Sequence, residues 1–234
     1  MKALIKKAKR IVFKFGTNAL STDNGDLALS RLYSFMEDIA ALRAQGKEVM
    51  IVTSGAVGVG KRRLGLTSAP DVVSLKQACA AVGQISLMKL YEDGFKQLGV
   101  VAAQVLLTED DFSHRSYLSL RDTLNRLLEL GCIPVINQND TVSTNELRGY
   151  KEKGVNVCFS DNDKLSALVA SGMDADLLCV MSDVDGLYNG DPRKDKNAKL
   201  IDVVKGVTPE IEALGFCASS RGRGGMKTKL EAAK

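Results

Sequence analysis

Short runs that are mostly apolar alternate along the chain with longer stretches whose apolar residues recur every three or four positions. The short runs are residues 10–15 (RIVFKF), 48–53 (EVMIVT), 100–107 (VVAAQVLL), 132–137 (CIPVIN) and 176–181 (DLLCVM). Runs of this kind, apolar on both faces, predict strands of a parallel sheet covered on both sides. Between them, Leu32, Phe35, Ile39 and Leu42 mark one amphipathic helix. A longer helix carries Ala78, Val82, Ile85, Met88, Tyr91, Phe95 and Leu98 as its apolar face. Residues 115–130 supply a third helix, and a fourth follows Asp163. The alternation predicts an α/β fold, a three-layer α/β/α sandwich with a mostly parallel central sheet and right-handed crossovers. No repeat, low-complexity tract or composition break marks a linker, so 1–234 reads as one domain. Residues 141–157 form the longest polar stretch without periodicity and read as a mobile loop beside the site. Residues 188–199 (YNGDPRKDKNAK) read as a polar excursion, a hairpin being one form it could take.

Ligands of open parallel sheets sit outside the carboxyl ends of the strands. The chain's unusual polar residues lie just there. Lys14 and Gly16 end the first strand, Ser54 and Gly55 the second, residues 137–140 the fourth, and residues 182–185 the fifth.

Composition narrows the classes of function. The apolar fraction of 45% and the charged fraction of 26% are those of an ordinary globular protein. The net charge of +4 is mild and its basic residues are dispersed, so no nucleic-acid footprint is expected, while an anionic small molecule fits. No apolar run reaches the roughly 18 residues of a membrane span. The acid-free start, MKALIKKAKR, is too short for a transit peptide and reads as a solvated arm. Five isolated cysteines without a C-x-x-C spacing point to a reducing, cytoplasmic setting with neither disulfide framework nor structural zinc. Cys132 and Cys179 fall in runs predicted to be buried strands, where a thiol acts as a small hydrophobe.

Five motifs carry chemistry. In CFSDNDKLSALVASG (158–172), Asp161, Asn162 and Asp163 open a helix. Capping needs one such residue, so three in succession point to polar ligand contacts. Lys14 lies inside an apolar strand, where it must reach a polar site, pair with an acid or snorkel at the strand end. The run TSGAVGVGKRRLG (53–65) is a strand, a small-residue turn and a helix start, either a tight connection or an anion seat. It matches neither the Walker A pattern nor the dinucleotide fingerprint. NQND (137–140) combines turn formers with an Asp able to bind an α-ammonium group. SSRGRGGMKTKLEAAK (219–234) is a glycine-rich loop leading to a helix with Lys227 and Lys229 in its first turn. Cations are unfavourable there, so both lysines call for an anion, which a polyphosphate would supply. His114 is the only histidine, which argues against a His-based metal site and a Ser-His-Asp triad.

Phosphoryl transfer fits this inventory, because its catalysis is positioning and charge neutralisation by lysines, backbone N–H groups and Mg²⁺. A carboxylate acceptor, with a reference pKa of roughly 4, is already ionised at neutral pH and needs no general base.

Taken in order, VFKFGTN, IVTSGAVGVG, ACAAVGQISLMKLYE, VINQNDTVST, SDNDKLSALVA, MSDVDGLY and GRGGMKTKLEAA resemble the glutamate 5-kinases of the amino-acid kinase family, and also the kinase half of pyrroline-5-carboxylate synthases. The resemblance runs from about Arg10 to the last residue. It implies ATP-dependent phosphorylation of the γ-carboxylate of L-glutamate, with Mg²⁺, as the first step of proline synthesis. It further implies that Lys14 and Lys229 flank the transferring phosphoryl group and that Asp163 holds those lysines. Ser54, Asp140 and Asn162 would bind glutamate, supported by Asn137 and Asp161. Lys14, Gly16, Ser182 and Asp183 would face the nucleotide, with Arg223, Gly224, Gly225, Met226, Lys227, Thr228 and Lys229. Gly16 and Gly55 would bring N–H groups to the phosphates. No metal-ligating residue is assigned. Residues 141–157 would cover glutamate, where proline feeds back, and a homo-oligomer, dimer or tetramer, is implied.

Two features depart from the bacterial pattern: RGGM replaces TGGM, and the segment 147–157 is longer. The chain also ends in the helix after Lys229, where family kinase domains continue for one more strand-containing segment, and nothing in it resembles a PUA or reductase domain. Two rivals stand beside this expectation. One is a kinase of the same fold acting on aspartate, acetylglutamate or a nucleoside monophosphate. The other is a silent amino-acid sensor, against which the joint presence of Lys14, Asp163 and Lys229 argues.

Overall fold

Strands form where the apolar runs predict them. In the computed structural model, which describes residues 6–22, 26–68, 72–142, 162–192, 195–215 and 225–234, these are β1 (Arg10–Phe15), β2 (Glu48–Val52), β3 (Ala102–Leu107), β4 (Ile133–Gln138) and β5 (Leu177–Met181). They make one sheet in the order β3-β4-β2-β1-β5, and every pairing is parallel. Lys14 pairs with Val52 on one side and Val180 on the other, so the carboxyl ends of β2, β1 and β5 are level.

Side-chain alternation along each strand builds two separate cores. On one face Phe15, Val49, Ile51, Ile133 and Val135 pack against α1 (Leu29–Ala44) and α3 (Val73–Gln97). On the other, Val12, Met50, Val52 and Ile136 pack against α4 (His114–Glu129) and α5 (Asn162–Gly172). The three-layer α/β/α sandwich is therefore present, and its sheet is wholly parallel among the described residues. Fully buried Tyr91, Phe95 and Leu87 anchor the first core, each contributing about 1.5–3 kcal/mol of burial.

The chain leaves β2 through α2 (Ala56–Arg63) and α3 on one face, and leaves the neighbouring β4 towards α5 on the other. Adjacent strands whose connections depart to opposite faces open a crevice at their carboxyl ends. Here the crevice lies between β2 and β4, with β1 alongside.

The buried face of α3 differs from its sequence-predicted face. Cys79, Ala80, Gly83, Gln84, Leu87, Tyr91, Gly94 and Phe95 are buried, whereas Ala78, Ile85 and Leu98 are exposed and Val82 and Met88 half-buried. Close contact with α2 explains the rotation. A Cβ on Gly83 would stand 1.8 Å from the Ala56 carbonyl oxygen, and one on Gly60 would stand 1.7 Å from that of Cys79. The two helices touch backbone to backbone, so the small-residue stripe faces inward in place of the branched one.

Smaller differences follow the same logic of position. Cys132 precedes β4 by one residue, and both it and Cys179 are half-buried; among the described cysteines Cys79 is the buried one. Among the described residues of 188–200 an antiparallel bridge joins Tyr188 to Leu200, and no strand forms. The basic start is tied down from Lys6 onward, because Lys47 Nζ donates to the carbonyls of Lys6 and Ala8. Most of the polar stretch 141–157 lies outside the described residues, as do Cys158 and Cys217. No helix among the described residues is long and apolar enough to cross a membrane.

Candidate active site

Lys14 shares the sheet face of Val12, and that face is covered by α5. Alternation along β1 therefore delivers the Lys14 side chain to the first turn of α5, where Asp163 is the second residue. Lys14 Nζ stands 2.6 Å from Asp163 Oδ1, with the carboxylate fully buried and the lysine 5% exposed. The second carboxylate oxygen meets α7 (Met226–Ala233), which follows the short helix α6 (Pro209–Ala213): Thr228 Oγ1 donates to Oδ2 at 2.8 Å, and Lys229 Nζ lies 3.5 Å from it. Two lysines thus converge on one buried acid from opposite ends of the chain.

Burial by itself raises the Asp163 carboxyl, but the charge and hydrogen bond of Lys14, the charge of Lys229 and the Thr228 hydroxyl outweigh it and hold the group below its ordinary value. Such a buried carboxylate is tolerated because cations and a donor satisfy it on both oxygens. The start of α7 is itself pinned, since the Gly225 N–H donates to Thr228 Oγ1 at 3.1 Å. Lys227, on the same turn, is exposed.

Around this triad the strand ends leave room for an anion. Gly16 follows β1, and a Cβ there would come within 3.3 Å of Lys14 Nζ. Gly55 caps α2 with φ of 107°, a conformation that glycine adopts without strain. Beyond β5, Ser182 Oγ donates to Asp183 Oδ1 at 3.3 Å, and Asn18 Nδ2 reaches Asp183 Oδ2 at 3.1 Å, bridging the ends of β1 and β5.

A second group occupies the crevice between β2 and β4. Asn162 Nδ2 faces Ser54 Oγ at 2.8 Å and Asn137 Oδ1 at 2.9 Å, and it also donates to the Thr53 carbonyl. Asn137, only 1% exposed, donates through Nδ2 to Gln84 Oε1 at 2.9 Å. Thr53 Oγ1 hydrogen-bonds the Tyr91 hydroxyl at 2.9 Å, and burial drives the tyrosine pKa upward. Asp140 is half-buried in the turn that follows β4. Asp163 and Asn162 are consecutive, so the two groups share one helix terminus.

Most of the sequence-predicted residues are therefore neighbours. Lys14, Asp163, Thr228 and Lys229 form one cluster and Ser54, Asn137 and Asn162 the other, with Gly16, Asp140, Ser182, Asp183, Gly225, Met226 and Lys227 at the surrounding strand and helix ends. Asp161, Arg223 and Gly224 lie outside the described residues. Sequence reasoning missed Gln84, Asn18 and Tyr91. Gln84 and Asn18 each sit in a quoted motif, ACAAVGQ and VFKFGTN, but neither has a residue type that announces a role.

Among the described residues no group of three or more His, Cys, Asp or Glu side chains could hold a metal ion. Both oxygens of Asp163 are engaged by Lys14, Lys229 and Thr228. These residues therefore do not fit a protein-built Mg²⁺ cage.

The amino acid kinase family profile matches residues 9–234. The chain belongs to the amino acid kinase family. Among its relatives, the glutamate 5-kinase of Geobacter metallireducens is 46% identical over 234 residues, covering 99% of this chain and 60% of the relative. That of Myxococcus xanthus is 47% identical over 231 residues, covering 98% and 58%. The archaeal glutamate 5-kinase of Methanosarcina barkeri is 45% identical over 234 residues, covering 96% and 59%. The chain thus spans about 60% of the length of these curated relatives.

Proposed function

We propose that this chain transfers the γ-phosphoryl group of ATP to the γ-carboxylate of L-glutamate, forming glutamyl 5-phosphate, the first step of proline synthesis. The observation that carries the reading is the buried Asp163 holding Lys14 and Lys229 together. A glutamate oxygen attacks the γ-phosphorus, the bond to the β–γ bridging oxygen breaks, and ADP leaves with that electron pair. The acceptor is already an anion, so no proton needs removal, in keeping with a cluster that contains lysines but no histidine. Lys14 and Lys229 balance the charge that spreads over the equatorial oxygens, and Asp163 keeps both in place without titrating.

Glutamate sits in the crevice of Ser54, Asn137 and Asn162, with the Asp140 carboxylate taking its ammonium group. The nucleotide lies over Gly16, Ser182, Asp183 and the stretch that includes Arg223 to Lys229. Mg²⁺, when bound with the phosphates, shields their charge. Names of relatives sharing 45–47% identity support this reading. Proline as feedback inhibitor, a homo-oligomer and a cytoplasmic setting complete the proposal. A dimer or tetramer would cover exposed Ile85 and Val101.

Trapping of acyl phosphate as hydroxamate, with MgATP and glutamate, aspartate or acetylglutamate offered separately, tests the reading. Product with glutamate alone is expected. Product with a different acid would overturn the acceptor assignment, and no product with any of them would overturn the activity.

A further inference from the structure

We infer that Gln84 forms the base of the acid-acceptor pocket, holding the Asn137 amide through Oε1 and offering Nε2 to an oxygen of the bound acid. The inference rests on the proposed reading of the crevice as the acceptor site. It starts from a donor that cannot be reversed. The backbone N–H of Gln138 donates to Asn137 Oδ1 at 2.9 Å, which turns the Asn137 oxygen inward and its nitrogen towards Gln84. Gln84 must then present Oε1, as it does at 2.9 Å. The same polarity makes Asn162 donate to Asn137 Oδ1, and so aligns its amide on Ser54. One backbone group thereby sets three side-chain amides.

That arrangement leaves Gln84 Nε2 buried without a hydrogen-bond partner among the described residues, on a side chain only 8% exposed. Buried donors are rarely left unmade, because each forfeits its hydration without return. The place of Gln84 is also specified. Gly83 has no Cβ to hold α3 away from Ala56, and Asn137 Nδ2 fixes the Gln84 amide from the end of β4. A carboxylate entering the crevice beside Asn137 supplies the acceptor type that Nε2 lacks. A charged acceptor also makes the stronger hydrogen bond.

Gln84→Glu and Gln84→Met separate this role from packing. Glutamate keeps an acceptor for Asn137 but loses the donor and adds a repelling charge; methionine keeps the volume and loses both polar functions. Steady-state kinetics on the acid that the parent phosphorylates, chosen from glutamate, aspartate and acetylglutamate, should show KM for that acid raised about tenfold or more in both variants. KM for ATP should stay within about twofold, because among the described residues Gln84 bonds Asn137, on the acceptor side of the site. An unchanged acid KM in either folded variant overturns the inference, whether or not its thermal midpoint falls. The parent's choice of acid judges the proposed function separately. A parent inactive with all three acids would overturn both.

Discussion

Lys14 and Lys229 grip the same carboxylate from different depths, and their removal should be felt differently. Lys14→Ala strips a fully buried carboxylate of its close partner, a loss expected to cost about 3–5 kcal/mol of stability. Lys229, with its side chain 20% exposed, should cost less in a urea titration. In turnover both alanine variants should lose about 10²–10³-fold in kcat, with smaller changes in KM, as groups that act chiefly on transition-state charge do. Equal turnover in parent and variant would refute their placement beside the phosphoryl group. Asp163 makes a pH prediction. Its carboxyl lies below the ordinary value in the folded chain, so the stability it adds is complete above the unfolded pKa of about 4 and is lost as pH falls through the folded value. Urea midpoints measured from about pH 6 down to about pH 3 should fall in the parent and fall less steeply in Asp163→Asn. Asp140→Ala should instead raise the glutamate KM about tenfold with kcat less affected. At this scale the sequence was informative wherever a residue type was out of place. A lysine in an apolar strand and three polar residues opening a helix both announced themselves. Gln84 did not, because a glutamine on a helix is unremarked until its burial is seen.

At the scale of elements, periodicity located every strand of the sheet and the four long helices, yet misjudged one face. Branched Ile85 is 71% exposed, while Gly83 and Gly94 of the same helix are buried. Hydrophobicity weighs what a side chain gains by leaving water; it does not register how closely two backbones approach. The contact of α2 with α3 depends on that approach. Gly83→Ala would drive a Cβ into the Ala56 carbonyl, an overpacking expected to cost about 1–3 kcal/mol. Since α2 begins at Ala56, two residues after Ser54, the same change should also raise the glutamate KM. Gly58→Ala is the control: a Cβ there meets nothing within 4 Å, and its midpoint should not fall.

At the scale of the whole molecule, the site is assembled from both ends of the chain. Glutamate and a non-hydrolysable ATP analogue at about a hundred times their dissociation constants should each add about 2.7 kcal/mol, or roughly 2–4 °C per kcal/mol in a chain of this size. A thermal scan without any rise would contradict the placement of both pockets. The sequence by itself determined the alternation of buried strands and helices, and hence the α/β class. It also placed the polar residues at strand ends, because the periods of two and 3.6 are properties of local backbone geometry. Only the tertiary structure decided the order β3-β4-β2-β1-β5 and the crevice between β2 and β4. The meeting of Lys14, Asp163 and Lys229 was likewise decided there, as was the amide chain that ends at Gln84. These depend on which distant segments pack together, and local periodicity carries no record of that choice.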